Sequence, residues 1–440
     1  MRESITVHKF GGSCLRDISD LNRIAEVIQH WPGQSMLVVS ALWGTTDRLM
    51  RASKEPRYAS RLVYDLSSQH LRFAPGLIES EYGHLFLSVL EGIEQSLNEL
   101  AQTPNNWNAT NRLLAAGERL SALVVAYHLQ EFEIDAHPLG AEDIGLKLKG
   151  SNRAQIVDIE TSMIELDRSA FFGTPVITGW FGEGTDGELA LLGRGGSDHT
   201  ATSIARLVDA DKVILWKDVD GVLPINPRWG IESKPIPYLG YSEAVELARL
   251  DTPVLHPATV EPLRQVGIPL EIRDLRSVYK EMAASVIGPD LHQSYQIKAI
   301  GCLPRIARIS VSSSSDGILT EMLGRILIDL SEQNIACWNL NTQPDSISWI
   351  VSQHNLDDAY TIISNYFSNP EIEEYGVMFS LVGNKLPGEN EGVLSQELIE
   401  MLEIEIVSKT DHAVRIISKK RDIQAMLDLL ANHLQLSTEP

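Results

Sequence analysis

The sequence predicts an α/β fold in which a mainly parallel sheet is sandwiched by helices and is followed by two small α+β units. Strand-like and helix-like segments alternate over about the first 290 residues, which is typical of βαβ units around a parallel sheet. The pattern changes near residues 288–290 (GPD), where we place a domain boundary. We therefore expect domains at residues 1–290, 305–370 and 375–436.

The elements of the first domain follow from its apolar spacing. Short apolar runs next to glycine predict strands, and apolar residues three and four apart predict helices. The predicted strands are 5–9, 36–40, 175–178, 189–192 and 212–216, and the predicted helices are 20–29, 108–131, 197–207 and 242–250. Ligands of such sheets bind at the carboxyl ends of the strands, so the glycine-rich turns that follow these strands are candidate sites.

The remainder of the chain repeats one pattern. The order βαββαβ, or a shortened form of it, occurs twice, which indicates a tandem repeat. The first copy has strands at 307–311, 335–340 and 346–351 and helices at 319–334 and 356–367, and the second has strands at 377–382, 403–408 and 413–417 and helices at 393–402 and 421–433. The two copies share little sequence, so the repeat is predicted from pattern alone.

Composition limits the classes of partner. Hydrophobic residues make up 43% and charged residues 22% of the chain, as in globular proteins. A formal net charge of −22 repels polyanions, which argues against nucleic acid and anionic membranes as partners. No run approaches the ~20 apolar residues of a membrane helix. The start MRESITV does not resemble a secretory signal, and three scattered cysteines suggest no disulfide framework, so we expect a cytoplasmic protein.

A first candidate phosphate site is the segment KFGGS at residues 9–13. Lys9 ends a predicted strand, and Gly11 and Gly12 let the backbone approach an anion closely. Backbone N–H groups and a helix N-terminus add positive potential. The segment lacks the P-loop pattern. Paired glycines are also common in plain strand-to-helix turns, so this signal alone leaves both interpretations open.

A second candidate is LGRGGSD at residues 192–198, which again joins a strand to a helix. Arg194 can bind a carboxylate or phosphate through two N–H groups. Ser197 and Asp198 are also residues that cap helices, so capping is the alternative interpretation. Asp198 can instead orient the acceptor or hold a lysine, because phosphoryl transfer needs mainly positioning and charge stabilisation.

Three further segments carry candidate residues. Glu118, in GERLSA on the long predicted helix, is a possible partner for an ammonium group or else an ordinary surface glutamate. The hydroxyls of Ser40 and Thr46 lie in a strand-to-turn segment at residues 38–47, where they can hold a carboxylate or simply form the turn. The segment KDVDG from Lys217, with NPR at 226–228, suits the edge of a nucleotide, although Asp-Gly is an ordinary turn signal.

The joint order of these motifs is more specific than any one of them. KFGGS, VVSAxxGxT, GERLSA, ITGWFG, LGRGGSD, WKDVDGV with NPR, and VLHPAT together resemble the aspartate kinases of the amino-acid kinase family. The resemblance covers about residues 4–275. The two C-terminal units resemble, more loosely, the regulatory ACT domains of that family.

The resemblance implies a function and a role for each matching residue. It implies transfer of the γ-phosphoryl group of ATP, with Mg²⁺, to the side-chain carboxylate of L-aspartate, the first step toward lysine, threonine and methionine. Lys9 would stabilise transition-state charge and Asp198 would hold the arrangement around it. Glu118 would bind the α-ammonium of aspartate and Arg194 its α-carboxylate. The other implied substrate residues are Ser40, Thr46 and Ser197, and the implied ATP-binding residues are Lys9, Gly11, Gly12, Ser13, Lys217, Asp218 and Arg228. No residue is assigned as a metal ligand.

The chain also departs from the family pattern. Pro253 stands where a lysine is usual, Lys217 replaces the commoner threonine, and Leu223 replaces the commoner tyrosine of the nucleotide edge. Cys14 also differs from the usual residue, at little expected cost. Lys217 could restore the cation that is lost at Pro253, which we treat as a hypothesis.

Two alternatives to an active aspartate kinase follow. One is a catalytically weak or inactive regulatory protein that senses an amino acid, which the altered nucleotide edge would suit. The other is a kinase for a different acidic metabolite, such as acetylglutamate or glutamate, against which GERLSA and the tandem C-terminal units argue. The resemblance further implies a homo-oligomer, either dimer or tetramer, and allows an amino-acid effector at the ACT-like units.

Overall fold

The computed structural model describes residues 3–150, 155–219, 221–250, 255–277, 284–291, 296–312, 316–333, 335–386 and 394–436. Pro253, the most marked departure from the family pattern, lies outside the described residues.

Strands and helices alternate as predicted. The helices are α1 (Ile18–His30), α2 (Thr45–Lys54), α3 (Leu62–Phe73), α4 (Gly83–Gln102), α5 (Trp107–Glu131), α6 (Ile159–Glu165), α7 (Gly196–Val208), α8 (Tyr241–Ala248), α9 (Pro257–Arg264), α10 (Asp316–Glu332), α11 (Leu356–Ser364), α12 (Gln396–Leu402) and α13 (Ile423–His433). The strands are β1 (Ile5–Phe10), β2 (Gln34–Val39), β3 (Ala136–Leu139), β4 (Leu148–Lys149), β5 (Ile156–Val157), β6 (Thr174–Thr178), β7 (Phe181–Glu183), β8 (Leu189–Leu191), β9 (Lys212–Lys217), β10 (Tyr238–Gly240), β11 (Leu270–Asp274), β12 (Ser285–Gly288), β13 (Gln296–Ser312), β14 (Trp338–Thr342), β15 (Ser346–Ser352), β16 (Glu371–Asn384), β17 (Ile404–Lys409) and β18 (Ala413–Ser418).

The chain divides into two compact units. Unit 1 contains residues 1–222 and 258–289, and unit 2 contains residues 223–257 and 290–440. The segment 223–257 therefore packs with the C-terminal residues, although it lies within the predicted catalytic domain by sequence. The predicted limits of that domain and of the two ACT-like units stay predictions.

Unit 1 is built on a mainly parallel sheet, which confirms the predicted fold class. Seven of its strands lie in the order β12-β11-β9-β1-β2-β6-β3. Neighbouring strands from β11 to β3 pair in parallel, and β12 pairs with β11 in the antiparallel direction. The carboxyl ends of β9, β1, β2 and β6 therefore lie side by side, which brings the turns that follow them to one edge of the sheet.

Helices cover both faces of this sheet. Phe10, Leu37 and Trp216 lie in one buried core with apolar residues of α1 and α5. Because side chains alternate between the faces of a strand, Lys9 and Leu215 project to the opposite face, which α7 covers. Both faces of the sheet are thus buried by helices, as is typical of parallel sheets in α/β folds.

Unit 2 contains a six-stranded antiparallel sheet in the order β14-β15-β13-β16-β18-β17. Apolar side chains of α10 and α11 pack on its first half and those of α12 and α13 on its second half, so two α+β halves stand side by side, as predicted. Within unit 2, α8 also packs near β16 and β13.

One long strand serves both halves of this sheet. Residues 306–312 of β13 pair with β15, whereas residues 296–304 pair with residues 377–384 of β16 in the second half. The second half therefore takes a strand from a segment that precedes the first half in sequence. Arg305, between these two parts, has a φ of 52°, a left-handed conformation that interrupts the regular alternation of side chains.

Of the helices that the described residues form, none is long and apolar enough to cross a membrane.

Candidate functional site

A cavity of about 620 Å³ opens at the carboxyl edge of the parallel sheet in unit 1. Its walls come from the ends of β1, β2 and β6 and from α2, α5 and α7. The residues that line it are Lys9, Gly12, Ser40, Ala41, Leu42, Trp43, Gly44, Thr46, Asp47, Glu118, Trp180, Leu192, Gly193, Arg194, Gly195, Gly196, Ser197 and Asp198. This position is the one expected for a ligand of an open parallel sheet.

Glycines let the backbone make the turns that form the cavity. Gly44 and Gly195 precede α2 and α7 with φ angles of 77° and 74°, a left-handed conformation that favours glycine. Gly117 lets α5 approach the loop after β2, because a Cβ atom there would lie 3.0 Å from the side chain of Ala41. The glycines of the motifs therefore allow α2, α5 and α7 to border the cavity.

A buried carboxylate between two lysines lies at the edge of the cavity. Oδ1 of Asp198 is 2.5 Å from Nζ of Lys9, and its Oδ2 is 2.7 Å from Nζ of Lys217. Asp198 is in the first turn of α7, whose N-cap residue, Gly195, makes no side-chain capping bond. The sequence left three roles open for Asp198, namely capping the helix, orienting the acceptor and holding a lysine, and the structure shows its carboxylate paired with lysine.

The three charges alter one another's protonation. Burial raises the pKa of the Asp198 carboxyl, but the positive charges of Lys217 and Lys9 outweigh this effect and hold the pKa below its usual range. Burial lowers the pKa of Lys9, and the charge of Asp198 opposes that change. The carboxylate is therefore ionised at neutral pH, which makes it a poor general base and a good anchor for a cation.

Glu118 is a buried carboxyl group with one oxygen unpaired. Its Oε1 accepts a hydrogen bond from the backbone N–H of Ala41 at 3.2 Å, while Oε2 has no partner among the described residues. Burial raises the pKa of Glu118 to about 8. A buried, unpaired carboxyl oxygen in a residue that lines a cavity is suited to receive a cationic group from a ligand.

Arg194 supplies an available positive charge on the same cavity. Its side chain is exposed, and among the residues that the structure describes it forms no ion pair. Ser40, Thr46 and Ser197 add hydroxyl groups to the lining. The cavity thus combines cations, the buried unpaired oxygen of Glu118 and several hydroxyls, which is a chemistry suited to a small zwitterionic acid and a phosphate.

Not every predicted residue lines the cavity. Gly11, Ser13, Lys217 and Asp218 lie outside its lining, although Lys217 reaches it through Asp198. Gly12 and Ser13 form a single 3-10 turn, so the anion-binding helix N-terminus predicted after the glycine pair is shorter than expected. Arg228 belongs to unit 2, where its guanidinium group lies 5.0 Å from the ring centroid of Trp229.

Several lining residues were not predicted individually, although the motifs contain them. The side chain of Trp43 is 56% exposed at the cavity, and the guanidinium group of Arg16 lies 4.5 Å from its ring centroid. Arg16 also pairs with Asp218 at 2.8 Å. Trp180 lines the cavity with an unusual φ of 74°, and its indole N–H donates to the carbonyl oxygen of Leu192 at 2.7 Å.

This chain is similar to aspartokinases in sequence and in fold. Aspartokinase 2 of Bacillus subtilis is 26% identical in an alignment that covers 83% of this chain and 93% of that protein. An aspartokinase of Geobacillus stearothermophilus is 26% identical in an alignment that covers 97% of this chain and 96% of that protein. The crystal structure of E. coli aspartokinase III in complex with aspartate and ADP superposes with a TM-score of 0.81 over 98% of this chain and 100% of that chain, at 23% identity, which shows a shared fold.

The profile of the Amino acid kinase family matches residues 4–274, more than half of the chain and all of the residues that line the cavity. The chain therefore belongs to the amino acid kinase family.

Proposed function

We propose that this chain is an aspartate kinase, which transfers the γ-phosphoryl group of ATP to the side-chain carboxylate of L-aspartate. The observation that carries the proposal is the cavity itself, which brings Lys9 and Asp198 together with Glu118 and Arg194 at the carboxyl edge of the sheet. The similarity to aspartokinases over nearly the whole chain supports the choice of substrate.

The two ends of aspartate match opposite charges in the cavity. Glu118 receives the α-ammonium group, because its Oε2 atom is buried and unpaired. Arg194 binds the α-carboxylate through two N–H groups. Ser40, Thr46 and Ser197 donate hydrogen bonds to the two carboxylates, and they hold the side-chain carboxylate toward Lys9.

Phosphoryl transfer then needs no general base. The side-chain carboxylate of aspartate has a pKa near 3.9 and is already ionised at neutral pH. One of its oxygens attacks the γ-phosphorus, the bond from that phosphorus to the β–γ bridging oxygen breaks, and ADP leaves with the electron pair. Lys9 stabilises negative charge on the transferring group, and Asp198 keeps that ammonium in place.

ATP enters as its magnesium chelate. Mg²⁺ would be held mainly by the phosphates of ATP and by water, as is usual for this ion, and would neutralise part of their charge. Gly11, Gly12 and Ser13 lie along the phosphates, where the glycine backbone allows close approach. Lys217 and Asp218 lie along the nucleotide in this proposal, and the nucleotide contact of Arg228, which belongs to unit 2, stays a prediction from the sequence.

The remaining properties concern regulation and assembly. We propose that the two halves of unit 2 act as ACT-like regulatory units that can bind an amino-acid effector, and that the catalytic domain and these units follow the predicted limits 1–290, 305–370 and 375–436. We further propose a homo-oligomer and a cytoplasmic location. The product, 4-phospho-L-aspartate, is the first intermediate toward lysine, threonine and methionine.

The test is formation of aspartyl hydroxamate from aspartate, Mg·ATP and hydroxylamine. We expect turnover by the wild type that Lys9→Met and Asp198→Asn each reduce by at least about 100-fold, as expected for loss of transition-state charge stabilisation. Lys149→Met is the matched control, because Lys149 is an exposed lysine of the same unit. Absence of turnover in a folded wild type that still binds aspartate would instead support the regulatory alternative.

A further inference from the structure

Two neighbouring strands present lysines to the same face of the sheet. Lys9 of β1 is in register with Leu215 of β9, and Lys217 is two residues further along β9. Because side chains alternate, Lys217 projects to the same face as Leu215 and therefore as Lys9. Asp198, in the first turn of α7, which covers this face, forms ion pairs with both ammonium groups.

This arrangement leaves a buried excess of positive charge. The exposed fractions of the side chains are 7% for Lys9, 9% for Asp198 and 16% for Lys217, so water screens little of this positive charge. The other titratable groups near Lys9 do not offset it. Burial keeps the thiol of Cys14 neutral by raising its pKa to about 11, and burial raises the pKa of Glu118 to about 8. A buried charge without a counterion is costly, so this site favours an incoming anion.

Lys217 acts on the site indirectly, through the carboxylate of Asp198. It does not line the cavity, whereas Lys9 and Asp198 do, so it reaches the substrates through Asp198. With one oxygen on each lysine, the carboxylate of Asp198 is fixed at both ends and cannot turn away from Lys9.

We propose that Lys217 is a positioning residue for the phosphoryl transfer. It fixes Asp198 against Lys9, and it gives the buried group of Lys9, Asp198 and Lys217 a net charge of one positive unit. The transferring phosphoryl group neutralises this charge. The inference rests on the proposed function, and it gives Lys217 a role different from that of a cation beside the nucleotide. Its effect is on kcat, because the excess charge is neutralised most when negative charge develops on the transferring group.

The experiment compares Lys217→Met, which removes the charge and keeps much of the length, with Lys217→Arg, which keeps the charge. We expect Lys217→Met to lower kcat for aspartyl hydroxamate formation by about 10-fold or more, with KM for aspartate changed less than about threefold. Lys217→Arg should recover part of the loss. Lys149→Met, whose lysine pairs with Asp158 on the surface of the same unit, should change neither constant. Thermal unfolding of each variant checks that the fold is kept.

A titration of Lys9 tests the inference without turnover. The charge of Lys217 lowers the pKa of Lys9 and that of Asp198 raises it, so Lys217→Met should raise the pKa of Lys9, as followed by NMR of the ¹³C-methylated lysines. Wild-type turnover of aspartate tests the proposed function separately. An unchanged Lys9 pKa in folded Lys217→Met overturns the inference whatever the substrate, and so does a kcat within twofold of the wild type. Equal loss in Lys217→Met and Lys217→Arg, accompanied by lower melting temperatures, would reduce Lys217 to a packing role and also overturn it.

Discussion

The backbone N–H of Ala41 donates a hydrogen bond to Oε1 of Glu118 over 3.2 Å, which joins the loop after β2 to the middle of α5 at the cavity. This bond fixes one oxygen of a side chain that is 2% exposed and leaves the other for a ligand. It explains how the long helix contributes to a site otherwise formed by turns at the ends of strands.

Replacement of Glu118 by glutamine should weaken the binding of aspartate more than it slows the reaction. The amide oxygen of Gln can still accept the bond from Ala41, so the fold should be kept, but the negative charge is lost. A hydrogen bond to a charged group contributes about 1.5–3 kcal/mol, so we expect KM for aspartate to rise by about 10- to 100-fold and kcat to change only a few-fold. Glu131→Gln, at the exposed end of the same helix, is the control. A KM within twofold of the wild type would contradict this role for Glu118.

Aspartate binding should release a proton at neutral pH. Burial raises the pKa of Glu118 to about 8, so in the free protein the group is mainly protonated below that pH. The ammonium group of aspartate stabilises the carboxylate form, lowers the pKa and expels the proton. Calorimetric titrations at pH 6.5 in two buffers of different ionisation enthalpy should show release approaching one proton per aspartate, which disappears near pH 9.5. The same titration of Glu118→Gln, at higher aspartate concentrations, should show none. Equal heats in the two buffers for the wild type would refute the prediction.

Substitution of Asp198 by asparagine should destabilise unit 1 as well as stop catalysis. Lys9 and Lys217 would then be two buried cations without their shared counterion, and loss of one partner from a buried ion pair costs about 3–5 kcal/mol. Urea unfolding at pH 7 should show a lower midpoint for Asp198→Asn. Adding Lys217→Met to this variant should restore part of the stability, because it removes one unpaired charge.

The pH dependence of this stability has a definite sign. The lysines hold the pKa of Asp198 below its usual range, so its contribution is present above the pKa of an unfolded aspartate and is lost as the pH falls below that value. The difference between wild type and Asp198→Asn should therefore shrink below about pH 4. A difference that stays constant from pH 7 to pH 3 would show that the effect does not come from the charge of Asp198.

Much of the fold could be predicted from sequence, because apolar spacing reports which side of an element is buried. The shared strand β13 could not, since residues 296–304 pair with residues 377–384 across a separation that no local pattern records. No local pattern in the sequence predicts the left-handed conformation of Arg305, which lies between the two parts of β13.

The candidate site shows a similar division. Lys9 and Asp198 each follow from a motif, and so do Glu118 and Arg194, because the turns after parallel strands converge at one edge of a sheet. The second lysine on Asp198 depends on β9 lying next to β1, which the sequence does not specify. Trp43 and Trp180 stood within the motifs, but an indole gives no sign in sequence of whether it packs in a core or lines a cavity.

The glycine at the start of α7 provides a test of how closely the site must be positioned. A Cβ atom on Gly196 would lie 2.5 Å from Cδ1 of Trp180 and 2.7 Å from Cβ of Leu192, distances at which the backbone must move. Helix propensity alone would favour alanine by about 1 kcal/mol, so propensity predicts a more stable variant and packing predicts a less stable one. We expect Gly196→Ala to lower kcat by about 100-fold, because displacement of the first turn of α7 by about 1 Å moves Asp198 out of position relative to Lys9 on β1. Gly92→Ala, on α4 of the same unit, outside the cavity and with no atom within 4 Å of its Cβ position, should keep wild-type kcat without a lower melting temperature. Equal kcat for the two variants would mean that the contact between Gly196 and Trp180 does not set the position of Asp198.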